Sequence, residues 1–205
     1  MVLYAATSNP GKLREFSTSA STQGIDVLAL PNLVTIPEPV EDAPTFMGNA
    51  ELKARAYSLT LPGALVFADD SGLSVDILEG RPGVRSARFA DDCGFQIGQG
   101  SKDDRNNRAL LTLMPDHGPR TAHFICALAL ARDGEILLRA QGSVEGEVLA
   151  APRGDAGFGY DPLFLLPELG MTMAQLPPEH KWELSHRGRA FRALLEKIRI
   201  AQLTS

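Results

Sequence analysis

Five apolar residues, Ala64 to Ala68, run without a break into Asp69-Asp70-Ser71-Gly72. No other feature of the 205-residue chain constrains its fold as much. A short apolar run of this kind reads as a buried strand. Two adjacent carboxylates at its end are costly unless a metal, hydrogen-bond donors or water offset their repulsion. Open α/β sheets place such groups at the carboxyl ends of their strands, where ligands bind. The pattern therefore predicts a strand that stops at Asp69, with the acidic pair at its tip. The plain alternative is an Asx turn in which one Asp caps the loop.

The rest of the chain fits an α/β class. Val2 to Ala6 is a second strand-like run, followed by Thr7-Ser8-Asn9-Pro10-Gly11-Lys12 and a helical pattern from about Leu13. Thr7, Ser8 or Asn9 suits the cap and Pro10 the first turn. Ile25 to Leu30 reads as a strand, and 36–44 as a Pro- and acid-rich loop carrying Glu38, Glu41 and Asp42. Thr45 caps a helix on which Asn49 and Lys53 share a stripe at i, i+4. Residues 80–100 are turn-rich, and Lys102 to Met114 reads as a helix with Asp103 and Asp104 in its first turn. Asp133-Gly134 between two apolar runs is a two-residue hairpin signal, and 143–150 extends that meander. Arg189 to Leu203 is an amphipathic helix. The expected fold is a mixed twisted sheet with flanking helices, in one domain of two lobes with no independent linker.

Charge and composition exclude other classes. The net charge is −5, from 20 basic and 25 acidic residues, which argues against a nucleic-acid or anionic-membrane partner. A 44% hydrophobic, 22% charged chain is not disordered. No apolar run reaches the about 20 residues of a membrane span, and Met1 to Ala6 lacks the basic flank of a secretion signal. Two cysteines, Cys93 and Cys126, make neither a disulfide framework nor a zinc site. A cytoplasmic location is expected.

Several segments carry residue types suited to nucleotide chemistry. Thr7 to Lys12 joins a strand to a helix start, where free N–H groups and the helix dipole favour phosphate and Lys12 adds a positive charge. It lacks the spacing of a Walker A loop. Asp69 and Asp70, with the acidic loop, offer oxygen ligands for a divalent cation. Gly157-Phe158-Gly159-Tyr160-Asp161 combines glycines that allow close backbone approach with an aromatic face for a base; its plain alternative is a tight loop whose aromatics pack in the core. Lys181, His186 and Arg187 fall close together as donors suited to a base carbonyl or phosphate. His123 reads as structural.

In this order, these segments resemble the inosine triphosphate pyrophosphatase family, the XTP/dITP diphosphatases. The matching stretches are Ala6–Lys12, Thr45-Phe46 through Asn49-Ala50 with Lys53-Ala54, Ala68-Asp69-Asp70-Ser71-Gly72-Leu73, Pro82-Gly83-Val84-Arg85-Ser86-Ala87-Arg88, Gly157–Pro162 and Ser185-His186-Arg187-Gly188. The resemblance implies a two-lobed homodimeric enzyme with its nucleotide in a cleft between lobes. It implies Mg2+-dependent hydrolysis of ITP, dITP and XTP to monophosphate and pyrophosphate. Carried over by position, Thr7, Ser8, Asn9, Pro10, Gly11, Lys12 and Lys53 hold the triphosphate. Glu41 and Asp70 are the metal positions, with Glu38 the alternative to Glu41 and Asp69 in support. Asp70 is the catalytic base and Ser71 touches substrate. Phe158, Gly159, Tyr160, Asp161, Lys181, His186 and Arg187 surround the base. Ser8 stands where many members have glycine. The alternatives are a pyrophosphatase for another modified nucleotide and a non-catalytic nucleotide sensor.

Overall fold

The computed structural model describes residues 1–21, 24–95 and 100–203. In chain order its elements are β1 (Val2–Ala5), α1 (Pro10–Ser21), β2 (Asp26–Ala29), α2 (Phe46–Ser58), β3 (Val66–Val75), the short α3 (Phe89–Asp92), α4 (Lys102–Leu113), β4 (Thr121–Arg132), β5 (Glu135–Val148), β6 (Phe164–Leu166), β7 (Met171–Thr172), α5 (Pro178–Leu184) and α6 (His186–Ile200). Seven strands among the described residues form one sheet in the order β2-β1-β3-β4-β5-β6-β7. β1 runs parallel to β2 and β3, whereas β6 runs antiparallel to β5 and β7. The sheet is therefore mixed, as the sequence pattern indicates. Residues 96–99 of the turn-rich stretch lie outside the described residues.

One expectation needs correction. The third strand does not stop at Asp69: β3 continues through Asp69, Asp70, Ser71 and Gly72 to Val75. The Asx-turn alternative fails with it. The parallel pairing with β1 ends earlier, at Ala5 opposite Phe67, and the Ala6 N–H donates to the Phe67 carbonyl at 2.8 Å. The two carboxylates thus stand beyond the end of β1 while their own strand runs on. The strand tolerates them because both are buried against cationic and amide partners. Gly72 is required there by space, since a Cβ would meet the Ser86 side chain and lie 2.8 Å from the Gly83 carbonyl oxygen.

Local signals explain the other elements. Thr45 Oγ1 accepts from the Gly48 N–H at 3.1 Å and caps α2. Asp133 and Gly134 take φ of 51° and 82°, the left-handed pair of a two-residue hairpin turn. β5 is one strand of 14 residues rather than a strand plus extension, and from Arg139 exposed and buried residues alternate strictly. α5, within a stretch read only as a cationic cluster, starts on a Pro in its first turn. α6 begins at His186, three residues before the apolar periodicity starts.

The chain divides into two compact units, Met1–Asp70 with Cys126–Gly142 and His186–Ser205, and Ser71–Ile125 with Ser143–Ser185. In the first, the rings of Phe16 on α1, Phe67 on β3 and Phe191 on α6 meet at centroid distances of 5.1, 5.0 and 5.7 Å. All three are fully buried. On another side, Ala50, Ala54 and Tyr57 of α2 pack with Ala127, Ala129 and Ala131 of β4. In the second unit, Phe124 and Phe164 stack at 4.3 Å within a core that includes Leu73, Leu110 and Tyr160. Among the described residues no helix is long and apolar enough to cross a membrane.

The aromatic trio anchors α1 and α6, two of the three helices of the first unit that carry candidate site residues. Phe191→Ala should cost about 3–5 kcal/mol in urea unfolding, the usual penalty for emptying a buried aromatic site. A loss below about 1 kcal/mol would show that the trio does not hold α1 and α6.

Candidate active site

In the first unit, α1 begins where β1 ends. Asn9 Oδ1 accepts from the N–H groups of Gly11 and Lys12 at 2.8 and 3.1 Å, and Thr7 Oγ1 accepts from the Asn9 N–H at 3.2 Å. The 7–12 loop is therefore a side-chain-capped helix start. The Gly11 and Lys12 N–H groups reach an anion only when the Asn9 carboxamide turns away. Ser8 and Pro10 are exposed.

Lys12 points from this turn to β3, where its Nζ lies 2.7 Å from Asp69 Oδ2. One turn further along α1, Glu15 Oε2 accepts from Arg187 Nη1 at 2.7 Å. Arg187 is 3% exposed. Its position at the start of α6 follows from Gly142 of β5, where a Cβ would collide with the backbone of His186 and Ala190. Burial alone would raise the Asp69 carboxyl. The positive charges of Lys12, Arg187 and Lys53 overcome it and hold the group at about 2.

Asp70 lies in the opposite condition. Burial raises its carboxyl above 3.8, and the negative charges of Glu41 and Asp69 add to this, against Lys53 and the Asn49 hydrogen bond. Asn49 Nδ2 donates to Asp70 Oδ2 at 3.1 Å. Lys53 Nζ lies 2.8 Å from Glu41 Oε2 and 3.6 Å from Asp70 Oδ1. Burial would lower Lys53, but Asp70, Asp69 and Glu41 keep it protonated above 10.5. Two neighbouring carboxylates on one strand are thus pushed apart in acidity, the condition that separates a fixed anion from a proton acceptor. Behind them, burial pushes the Cys126 thiol up to about 12, so it stays an inert filler.

Glu41 and Asp70 therefore converge on a single positive charge. No cluster of three or more His, Cys, Asp or Glu side chains suited to a metal occurs among the described residues. Two carboxylates suffice for Mg2+, which takes one or two from the protein and completes its shell with phosphate oxygens and water. The donor set fits that ion. Glu38 is exposed, and its charge is felt at Tyr57.

In the second unit, Asp161 organises the aromatic loop. Its Oδ2 accepts from the Phe158 N–H at 2.9 Å and from Lys181 Nζ at 2.6 Å. Lys181 Nζ lies 5.1 Å from the Phe158 ring centroid, a cation–π contact. Gly157 has φ of 81°, and a Cβ there would strike the Asp161 carboxylate, so this position excludes a side chain. Tyr160 is turned inward. It is 5% exposed, and its hydroxyl donates to the Ser86 carbonyl at 2.9 Å. For Tyr160 the core alternative holds. Ser71 follows Asp70 on β3 and is partly exposed.

Two residues in these arrangements were not singled out as site candidates: Glu15 and Asn49. Asn49 shares the Lys53 stripe and lies in one of the stretches that carry the family resemblance, the two signals that pointed to it.

Comparisons with known proteins place nearly the whole chain in a family. A family model described as the Ham1 family matches residues 3–197. A dITP/XTP pyrophosphatase of Acidobacterium capsulatum is 49% identical over 199 residues, covering 97% of this chain and 98% of that protein. One from Geobacillus kaustophilus is 45% identical over 198 residues, covering 95% and 93%. Among solved structures, a HAM1 protein from Coxiella burnetii superposes with a TM-score of 0.83 at 33% identity, covering 97% of this chain and 98% of that one.

The contrast between the two carboxylates sets opposite signs for two substitutions. Asp69 has its folded pKa depressed, so it contributes stability above about pH 4 that is lost as the pH falls towards 2. Asp69→Asn should therefore destabilise at pH 7 by about 2 kcal/mol, and its deficit should shrink on acidification. Asp70 is raised, so it withdraws stability as the pH rises through 3.8. Asp70→Asn should match or exceed wild type at pH 7. Equal, pH-independent losses in both variants would contradict the assignment. With its model match along nearly the full length and relatives this similar, the chain belongs to the Ham1 family.

Proposed function

We propose that this protein hydrolyses deaminated purine nucleoside triphosphates, dITP, ITP and XTP, to the monophosphate and pyrophosphate. It is a hydrolase of the phosphoanhydride between the α and β phosphates. The observation that carries the reading is the pair of adjacent buried carboxylates on β3, one fixed by Lys12 and the other facing Lys53 and Glu41. A module that only senses phosphate would place cations there, not acids.

In this reading the triphosphate is taken by 7–12 and Lys53, with Lys12 and Lys53 offsetting its charge. Glu41 and Asp70 hold Mg2+, with Asp69 in support. Bound there, the ion would supply positive charge to offset that of the phosphate oxygens. Asp69, ionised and paired, keeps Lys12 in place. Asp70 orients a water molecule and accepts its proton as the oxygen attacks the α-phosphorus. Most of the acceleration comes from positioning and charge rather than covalent chemistry.

Base choice rests on donors. Hypoxanthine and xanthine present an acceptor at O6, where adenine presents an amino group. Phe158 stacks on the base, with Ser71, Gly159 and Asp161 around it, while Lys181, His186 and Arg187 supply donors; Tyr160 supports the loop from the core. A buried donor left unpaired by adenine costs about 1–3 kcal/mol. We further read the enzyme as a cytoplasmic homodimer. A reducing compartment suits its two cysteines, neither of which is in a disulfide.

The test is incubation with ITP, dITP, XTP, ATP, GTP and dUTP plus Mg2+, measuring pyrophosphate against phosphate release. Pyrophosphate should come fastest from the deaminated purines, and Mg2+ removal should abolish it. Asp70→Asn should lower turnover by about 10² or more while ITP binding survives. Phosphate release, or near-normal turnover in that variant, would contradict the mechanism.

A further inference from the structure

The mechanism leaves α4 without a task, yet α4 grips the aromatic loop. Asp103 Oδ2 accepts from the Gly159 N–H at 2.7 Å, and Asn107 Nδ2 donates to the Gly159 carbonyl at 3.0 Å. Asp103 and Asn107 are one turn apart, so they share a face of the helix. Together they take both backbone groups of a single glycine. That glycine has φ of 62°, and a Cβ on it would meet nothing within 4 Å. No close neighbour crowds the space beside its Cα, and glycine is the residue least able to hold one conformation unaided.

The neighbouring residues show that α4 does not need these side chains for itself. Its start is capped by the reciprocal pair Ser101 and Asp104, with the Asp104 N–H donating to Ser101 Oγ at 3.1 Å and the Ser101 N–H to Asp104 Oδ2 at 2.8 Å. Its packing is fastened by Asn106, whose Oδ1 accepts from the Ala90 N–H at 2.9 Å and whose Nδ2 donates to the Ala87 carbonyl. In each adjacent pair, Asp103-Asp104 and Asn106-Asn107, one member serves the helix and the other holds the loop.

We propose that Asp103 and Asn107 are positioning residues for base recognition, fixing the Phe158-Gly159-Tyr160 backbone so that Phe158 is held ready to stack. This inference rests on the reading of that loop as the base site. Without the clamp, the Gly159 N–H and carbonyl lose their side-chain partners and the turn is left to the longer 3.3 Å bond from the Asp161 N–H to the Phe158 carbonyl, so base binding must order it further. The loss falls on binding of the preferred base rather than on the chemical step.

The test compares wild type with Asp103→Ala, Asn107→Ala and the conservative Asp103→Asn, on ITP and ATP with Mg2+. The alanine variants should raise KM for ITP by about tenfold and change kcat less than about threefold, so the ITP-over-ATP ratio falls. Asp103→Asn should stay within about twofold of wild type, because its amide oxygen can still accept from the Gly159 N–H. Thermal unfolding of Asn107→Ala, which leaves the capping box intact, keeps the test valid should Asp103→Ala fold poorly. Unchanged KM and unchanged base preference in both alanine variants would overturn the clamp while leaving the hydrolase reading intact. So would parallel losses of kcat and Tm that Asp103→Asn does not rescue. A wild type that releases no pyrophosphate from ITP would instead overturn the base-site reading and the clamp together.

Discussion

The Lys12–Asp69 ion pair is the interaction on which the first unit is organised. A carboxylate in the middle of a buried strand is untenable alone, because burial penalises its charge by several kcal/mol. Lys12 at 2.7 Å, supported by the field of Arg187, makes it tenable and keeps it ionised. The pair also joins the first turn of α1 to β3 across 57 residues of sequence. One turn along, Glu15 repeats the device with Arg187 in the opposite polarity. α1 thus presents alternating charges on the side that Phe16 anchors. Asp70, next door, has less compensation and faces Lys53, Glu41 and Asn49. Its acidity is weakened by the same burial that Asp69 overcomes.

The division of labour between adjacent like residues recurs in the second unit. Asp103 and Asp104 differ in what they hold, a loop glycine and a helix cap, as Asp69 and Asp70 differ in what surrounds them. Neighbours in a strand point to opposite faces, and successive helix positions differ by about 100°, so a repeated residue type is presented to two environments. The loop 157–161 is held by the carboxylates of Asp103 and Asp161, which accept from its backbone N–H groups, together with the Asn107 amide and the inward Tyr160 hydroxyl. This suits a segment whose glycines supply no packing of their own.

Much of this was legible in the sequence where the signal is local. The Thr45 cap, the Asp133-Gly134 turn, the Lys102 helix and the strand-to-helix start all depend on residues within a few positions of each other. The continuation of β3 through Asp69-Asp70-Ser71-Gly72 was not legible. Its compensation comes from Lys12, Lys53 and Asn49, none adjacent in sequence, and the local pattern of two acids, Ser and Gly resembles a turn. Asn49 was placed correctly beside Lys53 by helical spacing, but its target was invisible. Tyr160 could equally face a ligand or the core from its sequence context. The Ser86 carbonyl that receives its hydroxyl decides for the core. The Gly159 contacts of α4 lie more than fifty residues away and leave no local trace.

The central claim is that two adjacent buried carboxylates are held in different electrostatic conditions. Carboxyl 13C NMR of Asp69 and Asp70, assigned by single substitutions and followed from pH 7 downward, tests it most directly. The account predicts that Asp70 takes up its proton first, with a midpoint above 3.8, while Asp69 is still ionised and titrates only towards about 2. The reverse order, or a shared midpoint near the ordinary aspartate value, would contradict it.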